Sequence, residues 1–179
     1  LVPMVGEGIG SFWTDINMST ISGSGYVRTG QTSPLKNLNP IAATDSNEFK
    51  ELRMIYDRLV QVAPDGSVVP WAAKSINVVD NTTVDIVLRD GMKFHDGMPV
   101  TIKDIMFTFA YHKKWNAPFF VSSLEKFEHM EITGANSMRI KLSAPHAPLM
   151  INLFASIFIL PEHIWKDIPE KVDVDDVLN

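Results

Sequence analysis

The side chains best suited to catalysis or metal binding are five histidines, which are scattered along the chain: His95, His112, His129, His146 and His163. No two of them have the His-x-His or His-Glu-x-x-His spacing that brings two imidazoles to one metal ion. Cysteine is absent, which excludes thiolate ligands, cysteine nucleophiles and disulfides. The sequence therefore predicts no metal ion and no cofactor.

Catalytic groups in the usual sequence contexts are also missing. His95 and Asp96 are neighbours, but adjacent side chains in an extended or turn segment point apart, so the pair does not predict a His–Asp dyad. Ser24 lies between two glycines but outside a Gly-x-Ser-x-Gly motif. The glycines at 6, 8 and 10 lack the Gly-Lys-Ser/Thr ending of a phosphate-binding loop. We therefore predict that the protein is not an enzyme.

Aromatic side chains are better candidates for a binding surface. Trp115, Phe119 and Phe120 lie close together, with Asn116 and Pro118 as turn-forming residues among them. This composition is typical of a loop that exposes large rings, and such rings commonly line ligand pockets. Ordinary core packing explains the same three residues equally well, so both interpretations stay open at this point.

Two capping-box patterns predict where the long helices begin. Asp45 is followed three residues later by Glu48, and Thr101 is followed three residues later by Asp104. Each pattern precedes apolar residues at helical spacing. This spacing predicts that the two helices end near Val60 and near Lys114.

Extended segments alternate with these helices. Alternating apolar residues with polar turns between them predict two hairpins, over residues 75–89 and 127–143. Shorter helices are predicted over 147–154 and 162–166, the second beginning after a proline. This order of elements predicts an α+β or mixed α/β fold.

Composition limits the classes of partner. The 179 residues carry a formal net charge of −5, and no run of Lys or Arg marks a nucleic-acid or membrane surface. The chain begins Leu-Val-Pro without the basic and apolar regions of a signal peptide, and no apolar run approaches the length of a membrane span. We expect either that a leader has been removed or that the sequence is a fragment.

A series of motifs through the middle of the chain carries a family resemblance. Their sequences are Leu-Asn-Pro at 38–40, Tyr-Asp-Arg-Leu-Val at 56–60, Asp-Gly followed by Pro at 65–70, LRDGMKFHDGMPVTIKDIMFT at 88–108, Arg-Ile-Lys-Leu at 139–142 and Leu-Pro-Glu-His at 160–163. In this order, residues 38–166 resemble extracellular solute-binding protein family 5, whose members bind oligopeptides, dipeptides, nickel complexes, opines or sugars. The family's usual tryptophan position after the proline of 65–70 is displaced here to Trp71.

The resemblance implies a periplasmic-binding-protein type II-like architecture. Complete family members are much longer, so the chain is expected to contain the smaller N-terminal lobe, a mixed sheet with flanking helices. The implied domains are a partial main lobe or linker over 1–44, the smaller lobe over 45–168, and an acidic tail over 169–179 that leads to the remainder.

The resemblance also implies a function and a first set of ligand contacts. The function is capture of an oligopeptide or dipeptide for an ABC importer, by a monomer outside the cell membrane that docks on a membrane permease. The alternative is a peptide- or small-molecule-sensing module without a transport role.

In the family, the segment after the Leu-Asn-Pro motif lines the cleft and offers backbone groups to the peptide, which here implies Thr44, Asp45 and Ser46. An equally good interpretation is that Asp45 only caps a helix. The family's cleft-facing aromatics add Trp115, Phe119 and Phe120.

Overall fold

The computed structural model describes residues 38–117 and 119–168, all of which belong to one compact unit. Its helices are α1 Ser46–Ile55, α2 Ile102–Lys114, α3 Val121–Leu124 and α4 Glu162–Trp165. Its strands are β1 Val60–Val62, β2 Val68–Pro70, β3 Ala73–Asp80, β4 Thr83–Leu88, β5 Phe127–Gly134 and β6 Ser137–Leu142. A six-residue π-helical segment, Leu149–Phe154, precedes α4. The α+β class predicted from the sequence is confirmed.

The central layer is a four-stranded sheet with the order β3-β4-β6-β5. It consists of two hairpins, β3–β4 and β5–β6, joined by antiparallel pairing of β4 with β6. Strands β1 and β2 form a separate antiparallel pair. The family resemblance implied a mixed sheet, but every pairing among the described strands is antiparallel. The reason is that each hairpin reverses direction at a tight turn, and β6 lies between β4 and β5, the two strands that run parallel on either side of the α2 crossover.

One face of this sheet forms the core. Along β4 and β6 the buried residues alternate with more exposed ones, as a sheet covered on one side requires: Val84, Ile86, Leu88, Met138, Ile140 and Leu142. Helix α2 contributes Phe109 to the same core, where its ring meets Phe127 edge-on at 5.2 Å. The opposite face is polar and carries the ion pair of Arg139 with Asp85.

Capping boxes begin both long helices, as predicted. At α1 the Asp45 carboxylate accepts the amide of Asn47, and Glu48 reaches back to the amide of Asp45. At α2 the Asp104 carboxylate accepts the amide of Thr101 at 2.8 Å and its hydroxyl at 2.7 Å. These bonds satisfy donors that have no partner within a helix.

Helix α1 ends at Ile55, earlier than the predicted end near Val60. Tyr56 is already extended, with φ −114° and ψ 141°, while its amide still donates to the carbonyl of Leu52. Its ring packs against Phe158 at 5.9 Å. Tyr56 and the buried Leu59 therefore contact the core from backbone outside the helix. Their positions in the sequence also fit helical spacing, which is why the helix was predicted to continue.

Two glycine turns precede α2. Gly91 and Gly97 have φ values of +74° and +88°, a region that strains other residues. The carboxylate of Asp96 accepts the amide of Met98 at 3.0 Å, as expected for a turn. No helix in the described part of the chain is long and apolar enough to cross a membrane.

The predicted domain boundaries remain a prediction. The tail at 169–179 and most of 1–44 lie outside the described residues. The described part of 1–44 includes Ala43, which is buried in a small cluster with Leu52 and Phe158. The described end of this segment therefore packs on Leu52 of α1 and on Phe158.

Candidate functional site

A cleft of about 640 Å³ brings together four of the six residues predicted to contact a ligand, namely Thr44, Ser46, Phe119 and Phe120. The other described lining residues are Phe49, Lys50, Arg53, Asn152 and Ser156. More than 70 residues of sequence separate the Thr44 segment from the aromatic segment. The fold thus places two independently predicted stretches on one concave surface.

Helix α1 forms one wall of the cleft. Its lining residues are Ser46, Phe49, Lys50 and Arg53. They stand at positions i, i+3, i+4 and i+7, which lie on one face of an α-helix. A neighbouring face of α1 carries Leu52, which is fully buried. Because Leu52 anchors the helix, the polar and aromatic stripe is directed toward the cleft.

Phe119 is held at the rim of the cleft by contacts between aromatic rings that continue into the core. Its side chain is 53% exposed, yet its ring meets Phe49 edge-on at 5.3 Å. Phe49 in turn stacks on the buried Phe158 at 5.8 Å. Such ring pairs contribute about 0.5–1.5 kcal/mol each beyond the burial of area. Phe119 therefore presents a large apolar surface from a fixed position, as a ligand contact requires.

Phe120 is mostly a core residue, although it borders the cleft. Only 2% of its surface is exposed, and its ring meets that of His112 edge-on at 5.4 Å. His112 is fully buried, and its Nδ1 bonds to the carbonyl of Thr108 at 2.8 Å. Burial lowers the pKa of His112 to about 4, only partly opposed by the bond to Thr108. The imidazole is therefore neutral at pH 7, and it packs against Phe120 with its Nε2 buried and without a hydrogen-bond partner among the described residues.

The segment before α1 presents side chains rather than amide groups to the cleft. The amides of Thr44 and Asp45 both donate to Oε2 of Glu48, at 2.9 and 3.1 Å. These two amides are therefore engaged within the chain, whereas the resemblance had implied backbone groups offered to a peptide. The exposed side chains of Thr44 and Ser46 line the cleft instead. Their hydroxyls can both donate and accept hydrogen bonds.

Asp45 and Trp115 do not line this cleft. The carboxylate of Asp45 is used in the α1 cap, in agreement with the second interpretation of that residue. Trp115 ends α2, where its ring packs against Tyr111 at 6.0 Å with the ammonium of Lys114 5.6 Å from its ring centre. Its indole Nε1 is buried without a hydrogen-bond partner among the described residues. The geometry therefore supports a packing position for Trp115.

Five lining residues were not found from the sequence. Phe49, Lys50 and Arg53 belong to the helix predicted after Asp45, but none of them was predicted as a ligand contact. The spacing of Ser46, Phe49, Lys50 and Arg53 was the available signal, since it marks one face of the predicted helix. Asn152 and Ser156 gave no signal, because a π-helical segment and the turn after it bring them to the cleft.

A second cavity of about 340 Å³ lies next to the C-terminal end of α1, where Ile55 and Tyr56 belong to its lining. Most of its lining is apolar, including Met92, Phe94, Ile159, Ile164 and Trp165. Its carboxylates already have partners. Asp57 accepts the indole N–H of Trp71 at 2.8 Å, and Asp96 pairs with Nε2 of His163 at 2.6 Å. This cavity therefore offers few uncommitted polar groups with which to orient a polar ligand.

The pairing of Asp96 with His163 was not predicted, because 67 residues of sequence separate them. The bond from His163 and that from the amide of Met98 lower the pKa of Asp96. The ring of His163 also packs edge-on against Phe94 at 5.9 Å. The pair therefore ties the glycine turn to α4. Within the described ranges, no three His, Asp or Glu side chains are grouped closely enough to hold a metal ion.

Known proteins resemble this chain in both sequence and structure. The sequence model described as bacterial extracellular solute-binding proteins, family 5 Middle, matches residues 67–176. A putative ABC transporter peptide-binding protein of Brucella ovis is 31% identical over 142 residues, which are 75% of this chain and 25% of that protein. The nickel-binding periplasmic protein of Escherichia coli is 43% identical over 63 residues, 35% of this chain and 12% of its own.

The fold comparison agrees. The structure of the oligopeptide-binding protein AppA of Bacillus subtilis, in complex with a nonapeptide, matches with a TM-score of 0.65 and 26% identity, over 78% of this chain and 27% of AppA. The chain thus spans about a quarter of the length of these peptide-binding relatives. The family match covers more than half of the 179 residues. The chain therefore belongs to the bacterial extracellular solute-binding proteins, family 5.

Proposed function

We propose that the protein captures a solute for an ABC importer, that the solute is an oligopeptide or dipeptide, and that the cleft beside α1 contributes part of the binding surface. The observation that carries the proposal is the exposed ring of Phe119, held against Phe49 at the mouth of a cleft lined by Thr44 and Ser46. An apolar surface with a few hydroxyl groups suits a peptide of variable sequence.

Family membership supports a binding role without chemistry. The relatives include a putative ABC transporter peptide-binding protein and an oligopeptide-binding protein with a bound nonapeptide. By extension, the protein acts at the periplasmic or extracellular face of the membrane, as a monomer, and delivers its ligand to a membrane permease. Hinge closure of a second lobe over the cleft would complete the enclosure of the ligand. The smaller lobe over 45–168 is one wall of that enclosure.

Thermal unfolding of the full-length protein tests this proposal. Protein stripped of ligand is heated with dipeptides, longer peptides, nickel with histidine, opines or oligosaccharides. A ligand that binds only the folded state raises the melting temperature. At a ligand concentration of 100 times Kd, the free energy of unfolding rises by about 2.7 kcal/mol. We expect peptides to give the largest shift. A shift with another class alone would reassign the solute, and no shift across the panel would overturn the proposal that the protein captures one of these solutes.

A further inference from the structure

The charge of the cleft lining is opposite to that of the chain. Lys50 and Arg53 line the cleft, and none of its described lining residues is acidic. The whole chain, in contrast, has a formal net charge of −5. Two cations on the concave surface of an acidic protein are a local feature that overall composition does not explain.

Neither cation is used to hold the fold together. Both side chains are exposed, and neither forms an ion pair within the described ranges. The charge of Arg53 acts on Arg58, whose pKa is lowered first by burial and then by Arg53. A carboxylate near Arg53 would offset this repulsion.

The two cations lie beside the exposed ring that the proposed function assigns to ligand contact. Lys50 and Arg53 are three residues apart on α1, so their side chains leave the same helix face as Phe49. Phe49 in turn contacts Phe119. An occupant packed on Phe119 would therefore place its next groups within reach of two positive charges.

We propose that the cleft selects anionic peptides, with Lys50 and Arg53 pairing with a carboxylate of the ligand. This inference rests on the proposed function and adds the charge of the substrate to it. Guanidinium and carboxylate form paired, charge-assisted hydrogen bonds, so Arg53 would contribute the directional contact. Lys50 would contribute a less directional charge. The carboxylate belongs either to an acidic side chain or to the peptide C-terminus, and both present the same chemistry.

The test is a competition among peptides on the full-length protein. Ligand-stripped protein is incubated with a random nonapeptide mixture, separated from unbound peptide, and the eluted peptides are identified by mass spectrometry. One mixture has free C-termini and a second has amidated C-termini. The variants are the double change K50Q with R53Q and the control K103Q, which removes an exposed lysine on α2 outside the cleft.

For wild type and K103Q we expect acidic peptides, or free C-termini, to be enriched about 10-fold, corresponding to one well-placed charge pair. The double variant should retain bound peptide and lose the enrichment. Loss confined to the free-acid mixture identifies the C-terminal carboxylate, and loss in both mixtures identifies an acidic side chain. Equal enrichment in wild type and the double variant, or none in either, overturns the inference while peptide capture stands. If no protein retains any peptide, the proposed function fails and the inference fails with it.

Discussion

At the scale of single residues, Phe119 and Phe120 have opposite environments although they are adjacent. Phe119 is 53% exposed on the cleft, whereas Phe120 is 2% exposed against His112. The sequence left binding and core packing open for both, because composition does not reveal which of two neighbouring rings faces outward. The contact of Phe119 with Phe49, 70 positions earlier, determines that outcome, and a local pattern cannot contain it.

Replacing Phe119 by alanine should weaken ligand binding without unfolding the protein. The exposed ring contributes little to the core, but it supplies the main apolar contact in the cleft. We expect Kd for the best-stabilising peptide to rise about 10-fold or more, a loss of roughly 1.4 kcal/mol, as measured by isothermal titration calorimetry. The matched control is I132A, since Ile132 is an exposed apolar residue on β5 outside the cleft. Equal affinities for F119A and I132A would remove Phe119 from the binding surface.

His112 should make the stability of the chain depend on pH. Its folded pKa of about 4 lies below the ordinary value of 6.5, so the unfolded chain binds more protons between these values. The stabilisation of the neutral form is complete above pH 6.5 and is lost as pH falls toward 4. We expect the free energy of unfolding of wild type to fall by roughly 3 kcal/mol relative to H112Q across this range. Denaturant titrations at several pH values measure it.

The exposed His129 provides the control for that experiment. H129Q makes the same replacement at an exposed side chain, so it measures the effect of a His-to-Gln change outside the core. A parallel pH dependence of wild type and H112Q would show that His112 is not buried in its neutral form.

At the scale of elements, the sequence predicted well wherever local chemistry decides the outcome. Helix α2 spans Ile102–Lys114 as expected, because the capping box at Thr101 is a local signal. The two hairpins also lie close to their predicted positions, since alternation and turn residues define them. The helix predicted over 147–154 is present at Leu149–Phe154, but its π-helical form and the end of α1 were not predicted, because both depend on packing around Phe154 and Phe158 from distant sequence.

Asp104 links two elements and should be sensitive to substitution. Its carboxylate accepts the amide and hydroxyl of Thr101 and, at 3.0 Å, the amide of Glu162 at the start of α4. D104A would remove the α2 cap and leave these donors without their partner, at a cost of roughly 2 kcal/mol in the free energy of unfolding. K103A, at an exposed position in the same turn, should change it by less than about 0.5 kcal/mol. Comparable denaturation midpoints for the two variants would contradict the linking role of Asp104.

At the scale of the whole molecule, the family could be inferred from the sequence, but the set of residues that lines the cleft could not. The motif series over 38–166 led to the correct family, and the comparisons confirm it. The motif residues themselves mainly build scaffold, such as the Gly97 turn and the α2 cap. The cleft combines α1, the segment at 119–120 and the π-helical segment, so its lining emerges only when these elements pack together. The assignment of 1–44 to a main lobe remains a prediction.

Photo-crosslinking of a bound peptide in the full-length protein tests the central claim most directly. A benzophenone-bearing peptide chosen from the thermal panel is irradiated on the protein, and the attachment positions are mapped by mass spectrometry. The account predicts attachment within this lobe at residues 44–53 and 119–120, the two walls of the 640 Å³ cleft. Attachment within this lobe confined to the second cavity, at 92–100 and 159–168, or no attachment to this lobe at all, would contradict it.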